Sequence, residues 1–153
     1  MSIHVREADL NQCPRVINSA AKHVSLGDLH GNALKLLYVL IEEGILELKD
    51  PAHYEQLRDI YSRGMLLTTS DLLLFRSILA DSTVKNNKAI TLIGDELADR
   101  GTNDYLTLLV LKKLHSSAVN IDILLSNHSA EFIRDYAKPQ FTGRYNLRPG
   151  QGQ

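Results

Sequence analysis

The apolar positions in the first part of the chain follow the period of a strand and then that of a helix. Residues 22–26 form a short segment that predicts a strand. Beyond it, apolar side chains recur at spacings of three and four, which is typical of a helix with one buried face: Leu34, Leu37, Tyr38 and Ile41. Gly44 ends this pattern in the way a helix C-cap does.

A pair of helices is predicted next, within residues 46–88. Asp50 and Pro51 form a good helix start, and the apolar face that follows consists of Tyr54, Leu57, Ile60 and Tyr61. Ser70 is predicted to cap the second helix, whose inward residues would be Leu73, Leu74, Ile78 and Leu79. The polar residues 81–88 are predicted to be a loop that closes this helical insertion.

Two more strands with a helix between them complete the pattern. Residues 89–93 are apolar enough to form a central strand, and residues 119–125 predict a third strand. The helix between them is predicted to turn Tyr105, Leu108, Leu109 and the aliphatic part of Lys112 inward. This alternation predicts an α/β fold with a mainly parallel sheet and flanking helices.

Polar residues follow each of the three predicted strands. The segments that carry them are Ser25–Asn32, which overlaps the end of the first strand, Gly94–Gly101 and Ser126–Ser129. Parallel strands bring their carboxyl ends to one rim of the sheet, where ligands of α/β proteins usually bind. Asp28 and His30 are metal ligands by type, and on an extended backbone they would project to the same side. Taken alone, this pair is also compatible with an aspartate-capped turn before a helix.

Composition and charge narrow the class of protein. The chain has 153 residues, 44% of them hydrophobic, and a formal net charge of -1, so we expect a folded domain with no general attraction to nucleic acid or membrane. Its single cysteine, Cys13, is compatible with a reducing compartment. The first residues lack the pattern of a secretory signal, so we expect a cytoplasmic protein, with signal-independent secretion left open.

The three polar segments together resemble the motifs of the calcineurin-like metallophosphatases, and more specifically of the phosphoprotein phosphatase branch. The family motifs are GDxHG, GDxVDRG and GNHE. In this chain they read Gly27-Asp28-Leu29-His30-Gly31, then Gly94-Asp95-Glu96-Leu97-Ala98-Asp99-Arg100-Gly101, then Ser126-Asn127-His128-Ser129. The resemblance covers residues 23–136.

The resemblance implies a binuclear metal centre and assigns each site residue a role. Asp28 and His30 would bind one metal, Asp95 would bridge two metals, and Asn127 would bind the second. His128 would donate a proton to the leaving oxygen, held by Asp99, while Arg100 would grip the phosphate. Manganese is favoured among Mn, Fe, Mg and Zn, and the implied reaction is hydrolysis of a phosphomonoester by a metal-activated water.

The second and third motifs depart from the family pattern. The second carries one residue more between Asp95 and Asp99, which puts the relative placement of the two in doubt. In the third, Ser126 replaces Gly and Ser129 replaces Glu, which removes a carboxylate that normally supports the site, although serine still caps a helix. Both changes suggest an outlying, bacterial branch.

Two histidine ligands of the second metal are missing. His128 is the last of the six histidines, and the others lack the right context. Members of the resembled family build an αββα sandwich, so the resemblance implies that this chain is its amino-terminal half. We expect a lead-in at 1–22, a partial core at 23–136 with the insertion at about 46–88, and an irregular tail at 137–153. Such a half would leave one sheet face exposed to a partner or to self-association.

Three functions stay open at this point. The first is a metal-dependent phosphoprotein phosphatase whose remaining ligands lie on a continuation of the chain. The second is a non-catalytic half-domain that binds phosphate or a partner protein. The third is a nucleotide polyphosphate hydrolase, since such relatives share similar motifs. Asp99-Arg100-Gly101 favours the phosphoprotein substrate.

Overall fold

The computed structural model describes residues 8–17, 20–97 and 103–136. Three parallel strands form its main sheet: β1 (His23–Gly27), β4 (Ala89–Ile93) and β5 (Ile121–Ile123). The sheet order is β1-β4-β5, so β4 is the central strand, as its apolar sequence predicts. The predicted α/β class with a mainly parallel sheet is confirmed. The third strand is shorter than predicted, because only residues 121–123 of 119–125 pair with β4.

Helices cover one face of this sheet. α1 (Ala33–Glu42) follows β1, and α4 (Asp104–Ser116) connects β4 to β5 and packs against α1. Ile90 and Leu92 of β4 are buried in the same core as these helices. α1 buries the predicted apolar stripe, with Tyr38 partly buried beside it, and ends where Gly44 takes a positive φ of 66°.

The predicted helical insertion is present, with an additional strand pair at its base. α2 (Ala52–Ser62), a 3₁₀ turn (Gly64–Leu66) and α3 (Thr69–Asp81) lie between β2 (Leu46–Glu47) and β3 (Thr83–Val84). β2 and β3 pair antiparallel, so the prediction of a loop over residues 81–88 was wrong at Thr83–Val84. A strand of two residues is too short to show an alternation that distinguishes it from a loop.

The predicted start of α3 is two residues off. Thr68, not Ser70, caps the helix: its hydroxyl accepts from the Asp71 N–H, and the Asp71 carboxylate accepts from the Thr68 N–H. The prediction that Leu73 and Leu74 point inward was also wrong, because they are 60% and 41% exposed. The buried face of α3 consists of Asp71, Phe75, Ile78 and Leu79.

The buried face of α4 also differs from the prediction. Tyr105, Leu108 and Lys112 are exposed and Leu109 is partly buried, while the buried residues are Leu106, Thr107, Val110 and Leu114. This helix is rich in leucine around its whole circumference, so the spacing alone does not identify its inner face.

The opposite face of the sheet is open within the described part of the chain. His23 and Ser25 of β1 are exposed there, and the His23 ring lies 2.7 Å from the Thr91 hydroxyl. Edge strand β5 and the residues after it also carry exposed apolar side chains. Ile123 lies opposite Leu92, on the face that the helices cover, and Leu124 and Leu125 follow the strand. In residues 8–17, 20–97 and 103–136, no helix combines the length and apolar character needed to cross a bilayer.

Candidate metal centre

The loops that follow β1 and β4 carry the three ligand-type side chains of the site. Asp28 and His30 lie directly beyond β1, and Asp95 lies two residues beyond the end of β4. Because β1 and β4 pair in parallel, with Gly27 opposite Ile93, both loops leave the sheet at the same rim. The arrangement at one rim follows from the parallel pairing that the sequence predicts.

Asp28, His30 and Asp95 come together at this rim. One ligand atom from each side chain lies within 4.8 Å of the others. Asp28 is exposed, whereas His30 and Asp95 are half-buried, so the cluster opens to solvent on one side. Two carboxylates and an imidazole at such separations form a donor set suited to a divalent cation.

All three of these residues have a left-handed backbone. The φ angles are 50° for Asp28, 49° for His30 and 48° for Asp95. Non-glycine residues adopt this region at an energetic cost, and such residues concentrate at functional sites. The prediction that Asp28 and His30 extend side by side from a strand was therefore wrong: the chain has already turned, and the turn aims both side chains at Asp95.

Backbone hydrogen bonds join the two ligand loops. The His30 N–H donates to the Asp95 carbonyl at 2.6 Å, and the Gly31 N–H donates to the Glu96 carbonyl at 3.1 Å. The Lys35 ammonium of α1 donates to the carbonyls of Gly27 and Asp28, at 3.1 and 3.2 Å. These bonds satisfy backbone groups that a tight turn would leave unpaired, and they hold the strained conformation in place.

The loop after β5 brings His128 to the same site. α5 (Asn127–Tyr136) begins there, capped by Ser126, whose hydroxyl accepts from the Ser129 N–H at 3.2 Å. The imidazole rings of His128 and His30 lie with their centroids 6.3 Å apart and nearly perpendicular. Asn127, the first residue of α5, is exposed.

The remaining two site residues of the sequence prediction are Asp99 and Arg100. Both lie outside the described residues, so their assigned roles stay predictions. The structure describes the second motif only as far as Leu97. The placement of Asp95 relative to Asp99, which the extra residue of this motif puts in doubt, therefore stays open.

The hydrogen bonding of the Asp95 carboxylate tests whether the cluster fits a metal ion. Its Oδ1 atom is buried and accepts no hydrogen bond from any described residue. A buried carboxylate oxygen without a donor is costly, and the usual compensation is an ion or a water. This oxygen belongs to a carboxylate of the three-residue cluster, so the donor set fits a divalent cation.

One buried residue of the site was not predicted as functional. Glu96 is 6% exposed, and its Oε1 atom accepts a 2.5 Å hydrogen bond from the Ser129 hydroxyl. Ser129 stands where the family motif has a glutamate, and Glu96 lies in the segment of the second motif that is one residue longer than the family pattern. The sequence signal that could have paired them is that a carboxylate is gained at residue 96 and one is absent at residue 129.

Comparison with known proteins relates this chain to phosphatase domains. Residues 89–153 match the family model described as WipA-like, phosphatase domain. Among solved structures, the crystal structure of the phosphatase domain from the Legionella effector WipB matches with a TM-score of 0.68 and 31% sequence identity. No match was found among the curated proteins compared.

The extent of these matches is partial. The alignment with the WipB domain covers 74% of this chain but 43% of that one, so the chain spans less than half of the domain it matches. The chain is thus similar to the WipA-like phosphatase domains in the sequence of residues 89–153, and to the WipB phosphatase domain in fold.

Proposed function

We propose that the chain is the amino-terminal part of a metal-dependent phosphoprotein phosphatase that hydrolyses phosphomonoesters. The observation that carries this proposal is the convergence of Asp28, His30 and Asp95, each with a left-handed backbone, at the carboxyl rim of a parallel sheet. The similarity to the WipA-like family and to the WipB domain, both described as phosphatase domains, supports the reaction class.

In this proposal Asp28, His30 and Asp95 hold a divalent metal, with manganese favoured. A bound metal of this kind would lower the pKa of a water and offset the negative charge of the phosphate. The side chain of Asn127 would add an amide oxygen for a second metal, whose histidine ligands would lie on a continuation of the chain.

The chain's own residues would bind the substrate and move a proton. His128, beside His30, is suited to protonate the leaving oxygen because its ring lies at the cluster and is only half-buried. Asp99 would orient that imidazole, and Arg100 would bind phosphate oxygens through its fork of donors. The amino-terminal end of α5 faces the same rim, and the positive end of its helix dipole favours an anion there.

The direct test of this proposal is Asp95→Asn in a longer chain that carries the two further histidines. The change removes a charged ligand, and turnover of an aryl phosphate with added Mn²⁺ should fall by two orders of magnitude or more, roughly the cost of losing one metal's several kcal/mol of charge stabilisation. Asp122→Asn, which alters an exposed aspartate in β5, is the matched control. Near-normal turnover in Asp95→Asn would contradict the bridging role.

The alternative is a non-catalytic half-domain that binds phosphate or a partner protein. It predicts that phosphate or a partner protein binds without turnover even in the longest natural form of the chain. A gene that continues past Gln153 with two histidines after strand-like segments would favour the enzyme, and a stop codon there would favour the binding module.

A further inference from the structure

Glu96 and Ser129 form a buried contact between two of the site's loops. The Ser129 hydroxyl lies 2.5 Å from Glu96 Oε1 and 2.9 Å from the Ser126 hydroxyl, so a short chain of hydrogen bonds runs from the loop after β4 to the cap of α5. Ser129 is 2% exposed and Glu96 is 6% exposed. Hydrogen bonds that involve a charged group in such surroundings are stronger than exposed ones.

Packing stability does not account for the carboxylate at Glu96. Its second oxygen, Oε2, is buried and accepts no hydrogen bond within the part of the chain that the structure describes. Burying half of a carboxylate unsatisfied costs free energy that an apolar residue would avoid. A buried carboxylate oxygen of this kind therefore needs an explanation other than packing.

The groups on either side of this contact belong to the candidate metal centre. The backbone of Glu96 follows Asp95 directly, and its carbonyl accepts from the Gly31 N–H of the first ligand loop. Ser129 follows His128 directly, in the first turn of α5. The Glu96–Ser129 bond is therefore a short side-chain link between the loop that presents Asp95 and the helix turn that presents His128.

We propose that Glu96 is a positioning residue, whose hydrogen bond from Ser129 fixes the first turn of α5 and thereby sets the His128 imidazole beside His30. The carboxylate reaches the helix from the loop after β4, and α5 supplies the hydroxyl in return. This inference rests on the proposed function for its catalytic meaning, but the geometry that it asserts is independent of metal and turnover.

The experiment measures ring geometry and helix order by NMR in the 153-residue chain. Wild type should show a nuclear Overhauser contact between the imidazole protons of His30 and His128. Glu96→Ala should abolish this contact and speed amide exchange over residues 129–134 by roughly tenfold to a hundredfold, the range expected for a lost hydrogen bond to a charged group. Glu131→Gln removes a carboxylate from α5 itself and is the matched control.

Two further variants keep the test decisive. Ser129→Ala removes the other half of the bond and should give the same loss, which decides the matter if Glu96→Ala does not fold. The double variant Glu96→Ser with Ser129→Glu exchanges the partners and should restore the ring contact. A ring contact that persists in both single variants, or that the exchange fails to restore, would overturn the proposal.

Metal binding separates this inference from the proposed function. A wild-type chain that binds no Mn²⁺ but loses the ring contact in Glu96→Ala would contradict the metal site and uphold the positioning role. The opposite result is Mn²⁺ binding that Asp95→Asn weakens together with a ring contact that Glu96→Ala leaves unchanged. It would support the metal site and contradict the positioning role.

Discussion

Gly94 shows how one residue brings two site loops together. Its φ of 67° lies in the left-handed region, and a Cβ added there would lie 3.1 Å from the Ser126 Cβ. That distance is too short for an undisturbed contact, so glycine here permits both the turn after β4 and the approach of the cap of α5.

Gly94→Ala should destabilise the chain for both reasons. The left-handed conformation costs an ordinary residue about 1–2 kcal/mol, and displacement of Ser126 adds to that cost. Urea unfolding measures the difference. Gly27→Ala is the control, because an added Cβ there would lie 3.7 Å from Ile93, an ordinary contact. Equal stability of the two variants would contradict the close approach.

The identity of the three ligand-type residues could be predicted from the sequence, but their left-handed backbone conformation could not. Asp28, His30 and Asp95 were identified by type and by position after a strand, and the structure brings them together. Their backbone conformation was not predictable, since aspartate and histidine adopt many conformations outside a tertiary context. Tertiary bonds such as His30 N–H to the Asp95 carbonyl impose it.

At the scale of the element, α3 depends on the capping box between Thr68 and Asp71. The Thr68 N–H and hydroxyl donate to the Asp71 carboxylate at 2.9 and 2.8 Å, and the Arg63 guanidinium donates to the same group. These bonds, those from Thr68 first, hold the pKa of Asp71 below its ordinary value of 3.8. The carboxylate form therefore stabilises the folded chain.

Asp71→Asn should lower the stability of the chain in a pH-dependent way. Because the folded pKa is lower than the unfolded one, the contribution of Asp71 is fully present above pH 3.8 and is lost as the pH falls through the folded pKa. Thermal unfolding of wild type and variant should differ most near neutral pH and converge in acid. Asp81→Asn, at an exposed aspartate, is the control, and a gap that widens in acid would contradict the assignment.

Elements with clear periodicity were predictable, and those without it were not. α1 and the strand 89–93 follow from their own patterns. The inner face of α4 did not, because leucines surround that helix and the neighbouring α1 decides which of them are buried. β3 is two residues long and forms only because β2 lies beside it, so it depends on tertiary pairing and not on its own sequence.

At the scale of the molecule, three strands and their helices form one layered unit with an open sheet face in its described part. The α/β class followed from the alternation of strands and helices, whereas the closing partner of the open face cannot be derived from these residues. Exposed apolar residues lie at the edge strand: Ile123 is on the face that the helices cover, and Leu124 and Leu125 lie just beyond the strand. The prediction of a partner or of self-association at this face stays a prediction.

The 153-residue chain alone should hydrolyse an aryl phosphate negligibly, even with added Mn²⁺. The physical reason is that two metals are needed to clamp both the attacking and the leaving oxygen, and the sequence has no further histidine after His128. Steady-state release of the phenol measures this. Rapid, metal-dependent turnover that Asp95→Asn abolishes would contradict the expectation that the second metal site lacks ligands in this chain.

The central claim, that Asp28, His30 and Asp95 form a metal site, is tested most directly by calorimetric titration of the 153-residue chain with Mn²⁺. We expect at most one firmly bound ion per chain in the wild type, binding weakened at least tenfold in Asp95→Asn, and unchanged binding in Asp122→Asn. Absence of binding in the wild type, or equal affinity in Asp95→Asn, would contradict the account.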